Sequence, residues 1–135
     1  MEELLKGAGA EPTEEQLSNL ENLRAKINLV CLKYSKVMIP SSGLRSMKKH
    51  LSIYAKKGIT DKSKIPMKSK HLFGHAVDIR DKNRDLAKWC HENEDFLRST
   101  GLWLEDTDQT PTWVHFQSVP YGSWNEGKSI FFKPF

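Results

Sequence analysis

The sequence predicts an α+β fold. Apolar residues recur at helical spacing in two stretches, residues 17–34 and 86–97. Short strand-like runs fall at 37–39, 76–80 and, late in the chain, at 102–105, 113–119 and 130–132. Helices gathered at the start and middle, with short antiparallel strands late, point to that class. A chain of 135 residues suits one domain, 1–135, around one hydrophobic core.

Residues 1–12, with Gly7, Gly9 and a closing Pro12, read as an irregular lead-in. Thr13 and Gln16 form a capping-box pattern, and Glu14 and Glu15 suit the positive end of a helix dipole. Leu17, Leu20, Leu23, Ile27, Val30, Cys31 and Tyr34 then line one face, so a helix is expected over 14–35. Val37-Met38-Ile39, closed by Pro40, reads as a buried strand. Gly43 permits a sharp turn behind it and presents Arg45. That Arg is either a plain surface residue or a guanidinium fork aimed at a substrate carbonyl or carboxylate. Residues 47–69 are rich in Lys and poor in periodic apolar positions, and read as a helical turn followed by a long exposed loop.

Residues 76–80 alternate as a strand, with Asp78 facing away from Val77 and Ile79. Asn83 or Asp85 is placed to cap a helix running to Thr100. Leu86, Trp89, Cys90, Phe96 and Leu97 supply its buried face, and Gly101 suits the position beyond its end. Residues 102–105 and 113–119 read as a hairpin across the polar turn 106–111. A loop over 120–128 and a last strand over 130–132 follow.

Lys and Arg number 21 against 17 Asp and Glu, a net charge of +4. The excess is spread along the chain and reads as a solvated surface. Attraction to an anionic polymer, cell wall or nucleic acid, is the other reading, and no nucleic-acid motif accompanies it. Cys31 and Cys90 lack metal-ligand spacing and read as two buried free thiols, one disulfide being the alternative. No basic segment followed by an apolar run opens the sequence, and no run is long enough to span a membrane. The expectation is a protein made in the cytoplasm without a signal peptide, acting outside only after release.

The chemistry concentrates in Ser69-Lys70-His71-Leu72-Phe73-Gly74-His75-Ala76-Val77-Asp78-Ile79, which reads S-x-H-x-x-G-x-A-x-D-I. Imidazole nitrogen and carboxylate oxygen are good zinc donors. Gly74 permits the turn that lets a loop His and a strand Asp converge. A His and a nearby Asp alone are more often an ordinary hydrogen-bonded pair. A third donor, His115, follows in the apolar run Trp113-Val114-His115-Phe116. His71, Asp78 and His115 are therefore expected to hold one zinc, with a fourth position left to water. His50 and His91 read as surface residues. Trp103, Trp113, Tyr121 and Trp124 are candidates for a substrate groove, with core packing the alternative for Trp103 and Trp113.

The string, the preceding Ser42-Gly43-Leu44-Arg45-Ser46 and the downstream Trp113-Val114-His115 resemble the zinc D-Ala-D-Ala carboxypeptidase and dipeptidase family. That family includes phage endolysins cutting L-Ala-D-Glu bonds, and hedgehog signalling domains share its fold. The resemblance spans residues 37–117. It implies metal ligands at His71, Asp78 and His115, with one Zn2+ per chain. It implies a substrate- and transition-state-binding role for Arg45 and a structural or substrate-contacting role for Ser69. It also implies a hedgehog/DD-peptidase-like fold, a small antiparallel sheet with flanking helices carrying the site. His75 sits at the variable position of G-x-A and is not expected to face the metal.

The implied activity is zinc-dependent hydrolysis of a peptidoglycan stem peptide, at an L-Ala-D-Glu or D-Ala-D-Ala type bond. A lone domain without a signal peptide fits a phage-type lysis or virion-associated enzyme. The expected partner is the stem peptide, with no nucleic acid or membrane, and the expected state is a monomer. A general base is also required. Many members of the family carry Glu or Asp three residues before the last His, where this chain has Thr112. Others carry His-x-His, where this chain has Trp113. Glu105, at a strand end across the expected hairpin, is the favoured substitute, and Asp108 on the turn is second. The missing carboxylate also supports an alternative, a zinc-holding binding module without catalysis.

Overall fold

The computed structural model describes residues 12–43, 52–53, 55–60 and 70–133. Arg45, His50 and Ser69 lie outside the described residues, as do residues 1–11 of the expected lead-in and much of the 47–69 segment. Among the described residues the architecture is mixed α+β, with three helices and a five-stranded sheet. The elements are α1 (Glu14–Tyr34), β1 (Pro40–Ser42), β2 (Ala76–Arg80), α2 (Asp85–Glu92), α3 (Glu94–Thr100), β3 (Trp103–Glu105), β4 (Trp113–Gln117) and β5 (Phe131–Phe132). One 3-10 turn, Lys70–Phe73, precedes β2, and another, Thr107–Gln109, lies between β3 and β4.

The capping box of α1 forms as its sequence dictates. The Thr13 hydroxyl accepts from the Gln16 amide at 3.1 Å, and Gln16 Oε1 accepts from the Thr13 amide at 2.8 Å. The helix ends at Ser35, which takes a left-handed conformation. Leu20, Leu23, Ile27 and Val30 form its buried stripe. Cys31 is only half-buried, so the expectation of two buried thiols holds for Cys90 alone, and both are free.

The sheet runs in the order β1-β2-β4-β3-β5. Strands β1, β2, β4 and β3 pair antiparallel, and β3 and β4 form the expected hairpin. The sheet is not wholly antiparallel, because β5 joins β3 in parallel, with Leu104 opposite Phe131. The 118–130 connection makes this possible, since it is long enough to carry the chain from β4 back to the free edge of β3. Tyr121 Oη donates to the Ser129 carbonyl at 2.8 Å and Lys128 Nζ to that of Ser123 at 2.6 Å, closing the connection on itself.

Helices cover one face of the sheet. Val77 and Ile79 of β2, Leu104 of β3, and Val114 and Phe116 of β4 meet the α1 stripe, together with Leu86, Ala87 and Cys90 of α2 and Leu97 of α3. Side chains alternate along a strand, so Asp78, Glu105, His115 and Gln117 are delivered to the opposite face. That division of the sheet positions the site.

Three local expectations are corrected. The first strand is Pro40–Ser42 rather than a buried 37–39, and Val37 is 84% exposed. It is an edge strand, where the missing N–H of Pro40 costs no ladder bond, and the Ile39 carbonyl still accepts from the Arg80 amide at 2.9 Å. The helix expected to run unbroken to Thr100 is split at Asn93, whose Nδ2 donates to the Trp89 carbonyl at 2.8 Å. Neither Asn83 nor Asp85 caps α2. Asp81 does so, its carboxylate accepting from the amides of Leu86 and Ala87 at 2.9 and 2.8 Å.

The 3-10 turn carrying His71 is clamped onto α1. Gln16 Nε2 donates to the Leu72 carbonyl and Asn19 Nδ2 to that of Phe73, each at 2.9 Å. Gly74 has φ +78, and a Cβ there would stand 2.6 Å from the Gln16 carbonyl oxygen. Gly74→Ala combines an unfavourable left-handed backbone with a backbone clash. It is expected to destabilise the fold by about 2–4 kcal/mol, read as a lower midpoint in urea unfolding.

Candidate metal centre

Asp78 and His115 are directly opposed in the β2–β4 ladder. Their side chains share the face turned away from the helices, and His115 Nδ1 lies 3.0 Å from Asp78 Oδ1. His71 reaches the same carboxylate from the preceding turn, with Nε2 at 3.3 Å from Asp78 Oδ2. The two imidazoles meet edge to face, with centroids 5.3 Å apart. One donor atom from each of His71, Asp78 and His115 lies within 4.8 Å of the others, so the three are placed to hold a metal ion. His71 and His115 are only 4% and 9% exposed, and Asp78 is partly buried, so the donors converge where little water reaches them.

Hydrogen bonds at the rear of each ring hold the donors in place. His71 donates from Nδ1 to the Gly43 carbonyl at 2.8 Å. A carbonyl can only accept, so this bond puts the proton of neutral His71 on Nδ1 and its lone pair on Nε2, the nitrogen that faces Asp78. The second imidazole has His115 Nε2 at 2.9 Å from Gln117 Oε1, and Gln117 Nε2 donates to the Val119 carbonyl at 2.8 Å.

The charges reinforce one another. Burial works to raise the Asp78 carboxyl, but the His71 and His115 imidazoles beside it prevail and hold it well below the usual carboxylate range. Burial works to depress the His115 imidazole, but its hydrogen bond to Asp78 prevails and holds it above the ordinary value. An anion is thus kept ionised between two imidazoles, an arrangement in which a cation can replace protons.

Glu105 stands on the same face. The β3–β4 register pairs Trp103 with Gln117 and Leu104 with Phe116, so its continuation sets Glu105 across from His115. Burial raises the Glu105 carboxyl above its ordinary value. The nearby His115 opposes that shift, and Asp78 and Asp106 add to it. Of the other turn carboxylates, Asp106 accepts from the Asp108 amide at 3.0 Å and caps the Thr107–Gln109 turn, while Asp108 is exposed. Thr112 is exposed at the start of β4, its carbonyl accepting from the Asp81 amide.

The remaining candidates separate clearly. His75 is half-buried and stands outside the three-residue cluster, and His91 is exposed and stacked on Phe131. Trp103 packs against the core and edge to face with Trp124, with centroids 5.1 Å apart. The Phe132 ring edges His115 at 6.2 Å and Tyr121 at 5.2 Å, so β5 adds an aromatic wall beside the site. Gln117 and the Gly43 carbonyl escaped the sequence reading. Gln117 was legible in principle, since residues two apart on a strand share a face; a backbone carbonyl leaves no side-chain signal.

No helix among the described residues is long and apolar enough to cross a membrane. The chain matches no family model, no curated protein and no solved structure.

Proposed function

We propose that this protein is a zinc-dependent peptidoglycan peptidase that hydrolyses a stem-peptide bond of the L-Ala-D-Glu or D-Ala-D-Ala type, as a phage-type cell-wall lysis enzyme of hedgehog/DD-peptidase-like fold. The observation that carries this reading is the convergence of His71, Asp78 and His115 on one face of the sheet with Glu105 beside them. Two imidazoles and one carboxylate, with no fourth protein donor in the cluster among the described residues, suit a catalytic rather than a structural zinc. A bound zinc would supply Lewis acidity and a water made acidic enough to attack at neutral pH.

The chain's own residues do the rest. Glu105 accepts the proton of the attacking water and delivers it to the departing amine. Its raised carboxyl suits both halves of that task. The resemblance assigns Arg45 to the substrate and to the oxyanion formed at the scissile carbonyl, where a guanidinium is effective. Phe132, with Tyr121 packed behind it, shields the His115 side of the site from bulk water.

The test is release of new amino groups from purified peptidoglycan, with mass spectrometry of the fragments and metal analysis of the same protein samples. Wild type is expected to bind one zinc per chain and release a single type of new amino terminus. His115→Ala is expected to do neither. A wild type that holds one zinc and cleaves none of several wall types would rule out the peptidase and leave the zinc-holding binding module.

A further inference from the structure

We propose that Gln117 is the positioning residue of the metal centre, holding His115 in the one ring orientation and tautomer that turns Nδ1 toward the metal. Because β4 alternates, Gln117 follows His115 onto the site face, where it is 3% exposed. Its amide cannot turn over freely. Nε2 donates to the Val119 carbonyl at 2.8 Å, which aims Oε1 at the imidazole. An amide oxygen only accepts, so His115 must carry a proton on Nε2, 2.9 Å away. Once His115 is neutral, its lone pair lies on Nδ1, the nitrogen that faces Asp78 Oδ1.

The two imidazoles therefore bind through different nitrogens. His71 is held at Nδ1 by a backbone carbonyl and offers Nε2, while His115 is held at Nε2 by Gln117 and offers Nδ1. The asymmetry follows from position, one ring coming from a turn and the other from a strand inside the sheet. A ligand imidazole without its rear acceptor loses both orientation and basicity. Gln117 supplies that acceptor without adding charge beside Asp78 and Glu105, and the Val119 carbonyl anchors it.

This inference rests on the metal centre of the proposed function and not on the peptidase activity. The test measures zinc affinity by chelator competition, and the His115 ring nitrogens by 15N NMR, in wild type, Gln117→Leu and Gln117→Glu. Leu removes both the acceptor and its anchor, whereas Glu keeps an acceptor oxygen but loses the donation to the Val119 carbonyl. Gln117→Leu is expected to weaken zinc binding roughly 10- to 100-fold, with Gln117→Glu falling between wild type and the Leu variant. Zinc-loaded wild type is expected to show the His115 proton on Nε2.

Equal affinity in wild type and Gln117→Leu would overturn the role of the acceptor while leaving the metal centre intact. So would a His115 proton on Nδ1 in zinc-loaded wild type, a result that needs no variant to fold. A wild type that takes up no zinc overturns this inference together with the metal reading.

Discussion

With Asp78 changed to asparagine, the protein is expected to bind zinc more weakly by well over the roughly 100-fold that losing a ligand's hydrogen-bond partner costs, and to cleave nothing. Asp78 is the only anion of the three-residue cluster, and it touches both imidazoles, at 3.0 and 3.3 Å. Asparagine keeps the shape and one acceptor oxygen but removes the charge that a divalent cation needs.

The same substitution has a pH signature in metal-free protein. The Asp78 carboxyl lies below its ordinary value of 3.8 in the fold, so its stabilisation is present above that value and is lost as pH falls through the lowered one. His115 lies above its ordinary 6.5, so its stabilisation is complete below 6.5 and is lost as pH rises through the raised value. Metal-free wild type should therefore melt at progressively lower temperature as pH is raised from about 6.5. Zinc reverses the sign, because its ligands must shed protons and it binds better as pH rises. Scanning calorimetry with and without zinc should give opposite slopes above pH 6.5, and Asp78→Asn should flatten both.

How legible the chain is depends on whether the determining contact is local. Thr13 and Gln16 cap α1 through neighbours three residues apart, and both bonds form as their order implies. The alternation of 76–80 was readable for the same reason and turned Asp78 away from Val77 and Ile79, whereas the side of the sheet that His115 takes came only with its pairing opposite Asp78. What escaped is set by the tertiary fold. Whether 37–39 or 40–42 pairs with β2 is decided at a sheet edge, where β propensity has little force. Asp81 caps α2 from outside the helix because Arg84 turns left-handed at φ 65, donating from its guanidinium to the carbonyls of Trp113 and Thr107. Parallel β5 depends on a long connection that sequence periodicity cannot aim. The candidate ligands were the most legible part because His and Asp declare their chemistry. Gln117 and the Gly43 carbonyl, which hold them, do not.

Glu105→Gln is expected to lower kcat roughly 100- to 10,000-fold while the protein keeps its zinc, because Glu105 is no member of the donor cluster. Its second signature lies in stability. The Glu105 carboxyl is raised above 4.5 by burial, so the fold favours its protonated form. Stability therefore declines as pH rises from 4.5 through the raised value, and at neutral pH the ionised side chain is a burden on the fold. Glutamine removes that burden, and the metal-free variant should melt at the same temperature as wild type or higher.

Asp106→Ala should behave in the opposite way. It loses the cap on the Thr107–Gln109 turn and about 1 kcal/mol of stability, yet it should retain activity. Asp108→Asn should change neither property. Activity lost with stability kept, in one carboxylate of the three, would single out Glu105 as the group that moves the proton. If Asp106→Ala or Asp108→Asn abolishes cleavage while Glu105→Gln remains active, the base lies on the turn and the raised Glu105 carboxyl is only a consequence of its burial beside Asp78.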